Sequence, residues 1–323
     1  MRILTADHIR AAITMREMID AMREAFIALS TGTAQAPLRN ALKSPDGVTM
    51  FMPAYLNGAP YGAVKVVSVF GQNPVRHGLP VILASVLVYD ATTGKAVALL
   101  DGAYLTAFRT GAGSGLATEL LAREEASILG VIGAGAQAGP QIEAVCAVRP
   151  IREVRVYSRR GAADFVTSLA PRLPGIYITA VNTPDDALTG ADVLVAATTS
   201  STPVILDRHV KAGAHINGIG SYMLTMQEIA PEVVIKSKIV VDSRISAEAE
   251  AGDIMVPIQQ GLLPTTAIDT EIGQIAAGLK TGRVSADEIT FFKSVGTAVQ
   301  DAAAAARIVA AADRLGLGTV VDF

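Results

Sequence analysis

Cysteine is almost missing from this chain of 323 residues: Cys146 stands alone, so no internal disulfide can form. It falls on the apolar side of a helical stretch behind a glycine turn, the place of a core residue rather than a nucleophile. Histidine is nearly as scarce. His8, His77, His209 and His215 are scattered and never at ligand spacing with acids or cysteine, so no metal site is expected. Runs of Lys or Arg are lacking and the net charge is −3, which leaves no electrostatic footprint for nucleic acid or an anionic membrane. No unbroken apolar stretch reaches bilayer-spanning length. The N-terminal "MRILTADHIRAAITMREMID" mixes charges into every turn and so lacks the apolar centre of a signal peptide. No internal repeat or low-complexity segment stands out. These absences point to a cytoplasmic protein that works on small molecules, without nucleic-acid or membrane partners.

What the chain does have is apolar mass: half of its residues are apolar and 18% are charged, enough for a large core and for two domains. Residues 15–30 carry Met15, Met18, Ile19, Met22, Ala25, Phe26 and Leu29 at helical spacing, an amphipathic helix that Thr31-Gly32-Thr33 ends. From Val48 to Leu100 short β-rich runs follow, separated by turn pairs such as Asn57-Gly58. "LTAFRTGAGSGLATELLA", 105–122, reads as a helix whose glycines allow close approach of another backbone or a ligand. From Ala126 the pattern alternates: strand 126–132, helix 137–148, strand 153–157, helix 162–170, strand 176–181, helix 184–189, strand 192–197, then strands 213–217 and 238–242. Strands separated by helices imply right-handed crossovers and a parallel sheet. After Ala251 two helices are expected, over "EIGQIAAGL" and over "TAVQDAAAAARIVAAADRLG", the second apolar on more than one face and suited to pack back on the first region. The expected fold class is therefore α/β: a Rossmann domain with a doubly wound parallel sheet, 119–299, inserted in an α+β domain made of 1–118 plus 300–323.

Gly133-Ala134-Gly135-Ala136-Gln137-Ala138 is a G-x-G-x-x-A turn between an apolar strand and a helix. The first glycine makes the bend, the second lets the main chain approach a pyrophosphate, and the small third residue lets helix and strand pack closely. The helix N-terminus offers free N–H groups to the phosphates. Gly133, Gly135, Ala136 and Gln137 are thus candidate cofactor contacts. The next strand ends in Ser158-Arg159-Arg160, where an NAD site would place an acid on the ribose hydroxyls. Two guanidiniums suit a 2′-phosphate instead, which favours NADP(H), with NAD(H) the second possibility. Thr198, Thr199 and the run Asn217-Gly218-Ile219-Gly220 follow two further strands and could contact ribose and nicotinamide, or equally serve as turn chemistry.

The runs "GAVKVVSVFGQNP", "GLP", "LLDGAYLTAFRTGAGSGLA", "VIGAGAQA", "INGIGSY", "MQEI" and "FFKSVGTAVQDAAAA" stand in the order and spacing of one family over essentially the whole chain. It resembles the ornithine cyclodeaminase and mu-crystallin family. The resemblance implies a homodimer built through the split first domain, and an active site in the cleft beside the Rossmann domain. It puts the substrate carboxylate on Arg39, Lys65 and Arg109, and closes Ser294 and Val295 over the nicotinamide. Lys65 lies inside the β-branched run "AVKVVSV", where a cation is costly unless paired, although strand alternation also allows it to face solvent. Ser294 or Thr297 could instead cap the last helix, and Asp301 reads as structural. Where ornithine cyclodeaminases carry an Asp for proton transfer, this chain has Tyr222, and an acid common three positions later is Thr225. That departure points away from cyclodeamination. The implied activity is NADPH-dependent reduction of a small cyclic 2-imino carboxylate, Δ1-pyrroline-2-carboxylate or Δ1-piperideine-2-carboxylate, to an L-amino acid such as L-proline, with Lys65 and Arg109 as catalytic residues. Alternatives are alanine dehydrogenase or iminosuccinate-type amination, ornithine cyclodeaminase, and a non-enzymatic NADPH-dependent binder.

Overall fold

The computed structural model describes residues 1–322, which divide into two compact units: 1–109 with 297–322, and 110–296. Chain order runs β1 (Arg2–Leu4), α1 (Ala6–Ala12), α2 (Met15–Ser30), β2 (Ala34–Gln35), β3 (Asn40–Ser44), β4 (Gly47–Leu56), β5 (Tyr61–Val69), α3 (Asn73–Arg76), β6 (Ile82–Asp90) and β7 (Ala96–Asp101). Helix α4 (Gly102–Leu121) carries the chain from one unit into the other. The second unit then contains β8 (Ile128–Ile132), α5 (Ala138–Val148), β9 (Glu153–Tyr157), α6 (Ala163–Leu169), β10 (Tyr177–Ala180), α7 (Pro184–Leu188), β11 (Val193–Ala196) and β12 (His215–Gly218). It continues through α8 (Pro231–Ile235), β13 (Lys238–Val241), α9 (Arg244–Glu250), α10 (Gly252–Gln259), α11 (Ile272–Ala276) and β14 (Thr290–Lys293). The chain returns to the first unit with α12 (Ala298–Leu315) and β15 (Thr319–Val320). The partition falls after Arg109 and after Gly296, where the sequence reading drew it after 118 and 299; a single unbroken helix spans the first boundary, so no linker composition marks it.

The first unit holds a sheet ordered β15-β1-β7-β6-β5-β4-β2, with β3 on β4. Met52, Lys65, Val86 and Leu100 register across β4 to β7 on one face, and all four are buried. Helix α12 covers that face, and α2 packs against α12. Thr14 starts α2 by accepting from the Glu17 amide while the Glu17 carboxylate accepts the Thr14 N–H, a reciprocal cap. The stripe read from sequence is the face that packs: Met18, Ile19, Met22, Ala25 and Phe26 are fully buried, each large side chain contributing about 1.5–3 kcal/mol by leaving water. Alanines 302–305 of α12 are buried too, and their small side chains let the helix lie close on β4 and β5.

The second unit is built on a parallel sheet ordered β10-β9-β8-β11-β12-β14-β13. Strands β11, β12 and β14 are buried along their whole length, as expected of parallel strands covered on both faces. Strand order reverses on either side of β8 and β11, which makes the gap between their carboxyl ends the topological switch point. Three features go beyond the elements expected from sequence. Residues 290–293 form a strand between β12 and β13, 231–235 form the short helix α8, and 244–259 form the two short helices α9 and α10; each element is eight residues or fewer, too short for its period to identify it. No helix among the described residues is long and apolar enough to cross a membrane.

Candidate active site

Within the first unit, Asp301 gathers two of the expected cations. Its Oδ2 lies 2.7 Å from Lys65 Nζ, and its Oδ1 accepts from Arg109 Nε at 3.0 Å. All three side chains are at most 3% exposed. Gln300 on the same helix accepts from Arg109 Nη1 at 2.7 Å and from the Thr297 N–H at 3.1 Å, tying the guanidinium to the first turn of α12. Lys65 therefore does not face solvent. It sits on the helix-covered face of β5 because strand alternation puts it with Ala63 and Val67, both buried.

Taking a cation out of water costs several kcal/mol unless it is paired, and here one carboxylate serves two. Burial first, and the neighbouring Arg109 charge second, push the Lys65 ammonium down to about 7, with Asp301 opposing the shift. The charge of half-buried Arg39, in the segment before β3, lowers it further, which places all three expected cations within electrostatic reach of one another. Such a cluster has two chemical capacities. Its surplus positive charge attracts a small carboxylate, and Lys65 can hold or release a proton near neutrality.

Within the second unit, candidate cofactor contacts line the carboxyl edge of the parallel sheet. Gly133 has φ +110°, and a Cβ there would lie 2.4 Å from the Ala197 carbonyl oxygen, so the bend closes only with glycine. Gly135 differs: nothing lies within 4 Å of where its Cβ would be, and both it and Ala136 are exposed. Gln137 Oε1 is buried without a hydrogen-bond partner. A tight bend and an open approach to the main chain at the start of α5 fit a dinucleotide pyrophosphate. Ser158 accepts from the Gly161 N–H in a turn directly after β9, and Arg159 and Arg160 are exposed there.

Beyond the switch point, the Thr198 N–H and hydroxyl both donate to Glu228 Oε1, at 2.6 and 2.8 Å, while Thr199 is exposed. The amides of Gly220 and Ser221 donate to Glu228 Oε2 at 2.6 and 2.9 Å. Asn217 turns inward instead: its Nδ2 donates to Thr118 Oγ1 at 3.1 Å, and its Oδ1 lies 3.3 Å from His215 Nε2. Burial pushes His215 down to about 3, so this link is neutral and structural. Gly218 and Ile219 are buried beside it. Ser294 is committed as well, its hydroxyl donating to Asp242 Oδ2 at 2.9 Å, and the same oxygen receives the amides of Val295 and Gly296 at 3.0 and 2.7 Å. Tyr222 is half-buried.

Behind Glu228, whose N–H donates to Asp253, Asp253 pairs with Lys293 at 3.0 Å, and with Asp301, Glu228 and Asp242 these make five charged residues to which the sequence alone assigns no function. For Lys293 a signal existed, a lysine closing the apolar run "ITFF". Glu228 and Asp301 fall inside the family runs "MQEI" and "FFKSVGTAVQDAAAA", whereas Asp242 and Asp253 carry no such signal, because their side-chain partners include segments remote in sequence.

The family model described as "Ornithine cyclodeaminase/mu-crystallin family" matches residues 1–314. A Bacillus cereus protein named Delta(1)-pyrroline-2-carboxylate reductase is 36% identical over 331 residues, covering all of both chains. Among solved structures, the Thermococcus litoralis Delta(1)-pyrroline-2-carboxylate reductase in complex with NADH and L-proline is 40% identical with a TM-score of 0.94, over 99% of this chain and 100% of its own. An archaeal alanine dehydrogenase dimer with bound NAD is 36% identical with a TM-score of 0.92, over 100% of this chain and 99% of its own.

Proposed function

Since the chain belongs to the ornithine cyclodeaminase/mu-crystallin family, we propose that it reduces a small cyclic 2-imino carboxylate, Δ1-pyrroline-2-carboxylate or Δ1-piperideine-2-carboxylate, to an L-amino acid such as L-proline. The observation that carries this reading is the buried Lys65–Asp301–Arg109 cluster, a carboxylate-attracting and proton-holding site on the same chain as a glycine turn that fits a dinucleotide. The reduced nicotinamide supplies the hydride to the C=N carbon. Arg109 and Lys65, with Arg39, hold the substrate carboxylate, and Asp301 keeps the two buried cations in place. Lys65 delivers the proton that the imine nitrogen takes up as it becomes an amine, a role suited to an ammonium pushed down to about 7. Holding the imine in one orientation contributes much of the rate.

For the cofactor, the exposed Arg159 and Arg160 after β9 favour NADP(H), because guanidiniums bind a 2′-phosphate with charge-assisted hydrogen bonds. The two solved relatives hold NADH and NAD, so both nicotinamides belong in the test. A homodimer is part of the reading. Pro53, Val64, Leu87 and Leu99 register across β4 to β7 on the sheet face opposite Lys65, leaving an apolar surface that a second copy would cover.

The test is a spectrophotometric screen of NADPH and NADH oxidation with cyclic imino acids and with pyruvate plus ammonia. Turnover with the cyclic imines and none with pyruvate plus ammonia supports the proposal. The reverse pattern would establish the alanine dehydrogenase alternative that the 36% identical archaeal relative represents. Tight nicotinamide binding with no imine reduced under any condition would leave a binder and refute catalysis.

A further inference from the structure

We infer that Glu228 is a positioning residue for the nicotinamide dinucleotide, its buried carboxylate joining the loops after β11 and β12 into one preformed cradle. The inference rests on the dinucleotide reading of those loops. Four donors converge on its two oxygens, the Thr198 amide and hydroxyl on Oε1 and the Gly220 and Ser221 amides on Oε2, all within 2.9 Å. The loops are pressed together. A Cβ on Gly220 would lie 1.9 Å from the Thr198 carbonyl oxygen and 2.6 Å from Glu228 Oε1. They also lie beside the glycine turn, since Gly133 abuts the carbonyl of Ala197, the residue before Thr198.

Glu228 is itself immobilised. Its N–H donates to Asp253 Oδ1 at 2.6 Å, as does that of Ile229 at 3.0 Å, and its carbonyl accepts the amides of Val204 and Ile205. Behind it, Lys293 Nζ donates to Ser221 Oγ at 2.6 Å and pairs with Asp253 Oδ2 at 3.0 Å, while the Ser221 hydroxyl donates to that same oxygen. Glu228, Asp253 and Lys293 are all fully buried. Two carboxylates against one ammonium leave the group short of positive charge. That is a costly way to pin two loops if pinning were its whole purpose, because neutral packing does the same with less desolvation. What a carboxylate adds is direction: it only accepts, so it draws three amides and a hydroxyl to one side and sets the two strand-end loops in one conformation before a ligand arrives.

Glu228→Gln tests this in the full chain. The glutamine oxygen can still receive Thr198, but its NH2 group meets the Gly220 and Ser221 amides donor to donor. By fluorescence titration, the Kd for NADH and for NADPH should rise tenfold or more, while the KM for the imino acid at saturating nicotinamide stays within twofold. A merely structural role would lower the melting temperature and the active fraction and leave the Kd of the folded fraction unchanged, which would overturn the inference. Should the variant not fold, amide exchange in the wild-type chain decides. Protection of Thr198, Gly220 and Ser221 that is equal with and without NADH supports a preformed cradle, and protection that arises only on NADH addition refutes it. If the wild-type chain binds neither nicotinamide, the dinucleotide reading falls and the inference with it; if it binds and Glu228→Gln binds equally well, the inference alone falls.

Discussion

Lys65 on β5 and Asp301 on α12 form a buried ion pair at 2.7 Å, and that contact governs the proton chemistry proposed for the first unit. A proton-donating Lys65 must be charged, so kcat/KM for imine reduction should fall as pH rises through about 7. Asp301 raises the Lys65 pKa, so removing its charge lowers it. In Asp301→Asn the descending limb should move to lower pH by about one unit or more. Profiles of kcat/KM against pH for both proteins check this, and superimposable limbs would show that Lys65 is not the donor.

Arg109 makes two separate contacts, Nε to Asp301 and Nη1 to Gln300, a fork that lysine cannot reproduce. Arg109→Lys should raise the KM for the imino acid by roughly tenfold or more, as the loss of an oriented charged hydrogen bond of about 1.5–3 kcal/mol implies. Nicotinamide affinity should stay within twofold. Steady-state kinetics with each substrate varied in turn separate the two, and an unchanged imino-acid KM would remove Arg109 from the carboxylate site.

Two glycines in one turn should fail in different ways. Gly133→Ala combines φ +110° with a Cβ 2.4 Å from the Ala197 oxygen, and backbone strain of this kind costs on the order of 1–3 kcal/mol before the clash is counted. Gly135→Ala meets nothing within 4 Å and should fold normally, yet its methyl group would occupy the approach expected for the pyrophosphate. Thermal melts and nicotinamide titrations should show Gly133→Ala destabilised, and Gly135→Ala as stable as wild type with a Kd raised at least tenfold. A Gly135→Ala protein that binds normally would remove the turn from the cofactor site.

Arg159→Ala should weaken NADPH far more than NADH, by roughly tenfold in the ratio of the two Kd values if one charge-assisted contact to the 2′-phosphate is lost. Equal effects on both cofactors would dispose of the preference for NADP(H).

Leu87 projects from the apolar sheet face at 38% exposure, in register with Val64 and Leu99. Leu87→Asp places a charge in the middle of the proposed dimer contact, where an unpaired buried charge is costly. Sedimentation velocity should show the wild type as a dimer and the variant as a monomer. A dimeric variant would put the interface elsewhere.

Much of the architecture was legible from hydropathy because its period is local. Residues 15–30 alternate as a helix does, and the strands from 126 onward are apolar runs bounded by turn residues. The short β14 is marked only by the turn residues Ser294 and Gly296 behind it; "ITFF" is β-branched and aromatic but too short for its period to separate strand from helix. Helices α9 and α10 meet at Ala251, and Pro257 interrupts the second, so neither gives a clean period. At the sites, Lys65 and Arg109 were legible through the family motifs. Their shared counter-ion was not, since Asp301 sits in an alanine-rich helix and reads there as an ordinary first-turn acid.

By itself, then, the sequence determined the two-part organisation and the parallel sheet with its glycine bend, which rest on short-range patterns, and it pointed to the cationic residues of the first unit through the family motifs. Tertiary structure alone decided that Lys65 is withdrawn from water, that one carboxylate divides itself between Lys65 and Arg109, and that Glu228 holds two loops together. Period and propensity act over a few neighbouring residues. Charge compensation in a low-dielectric interior depends on which distant segments come to share a wall, and only the folded chain brings them there.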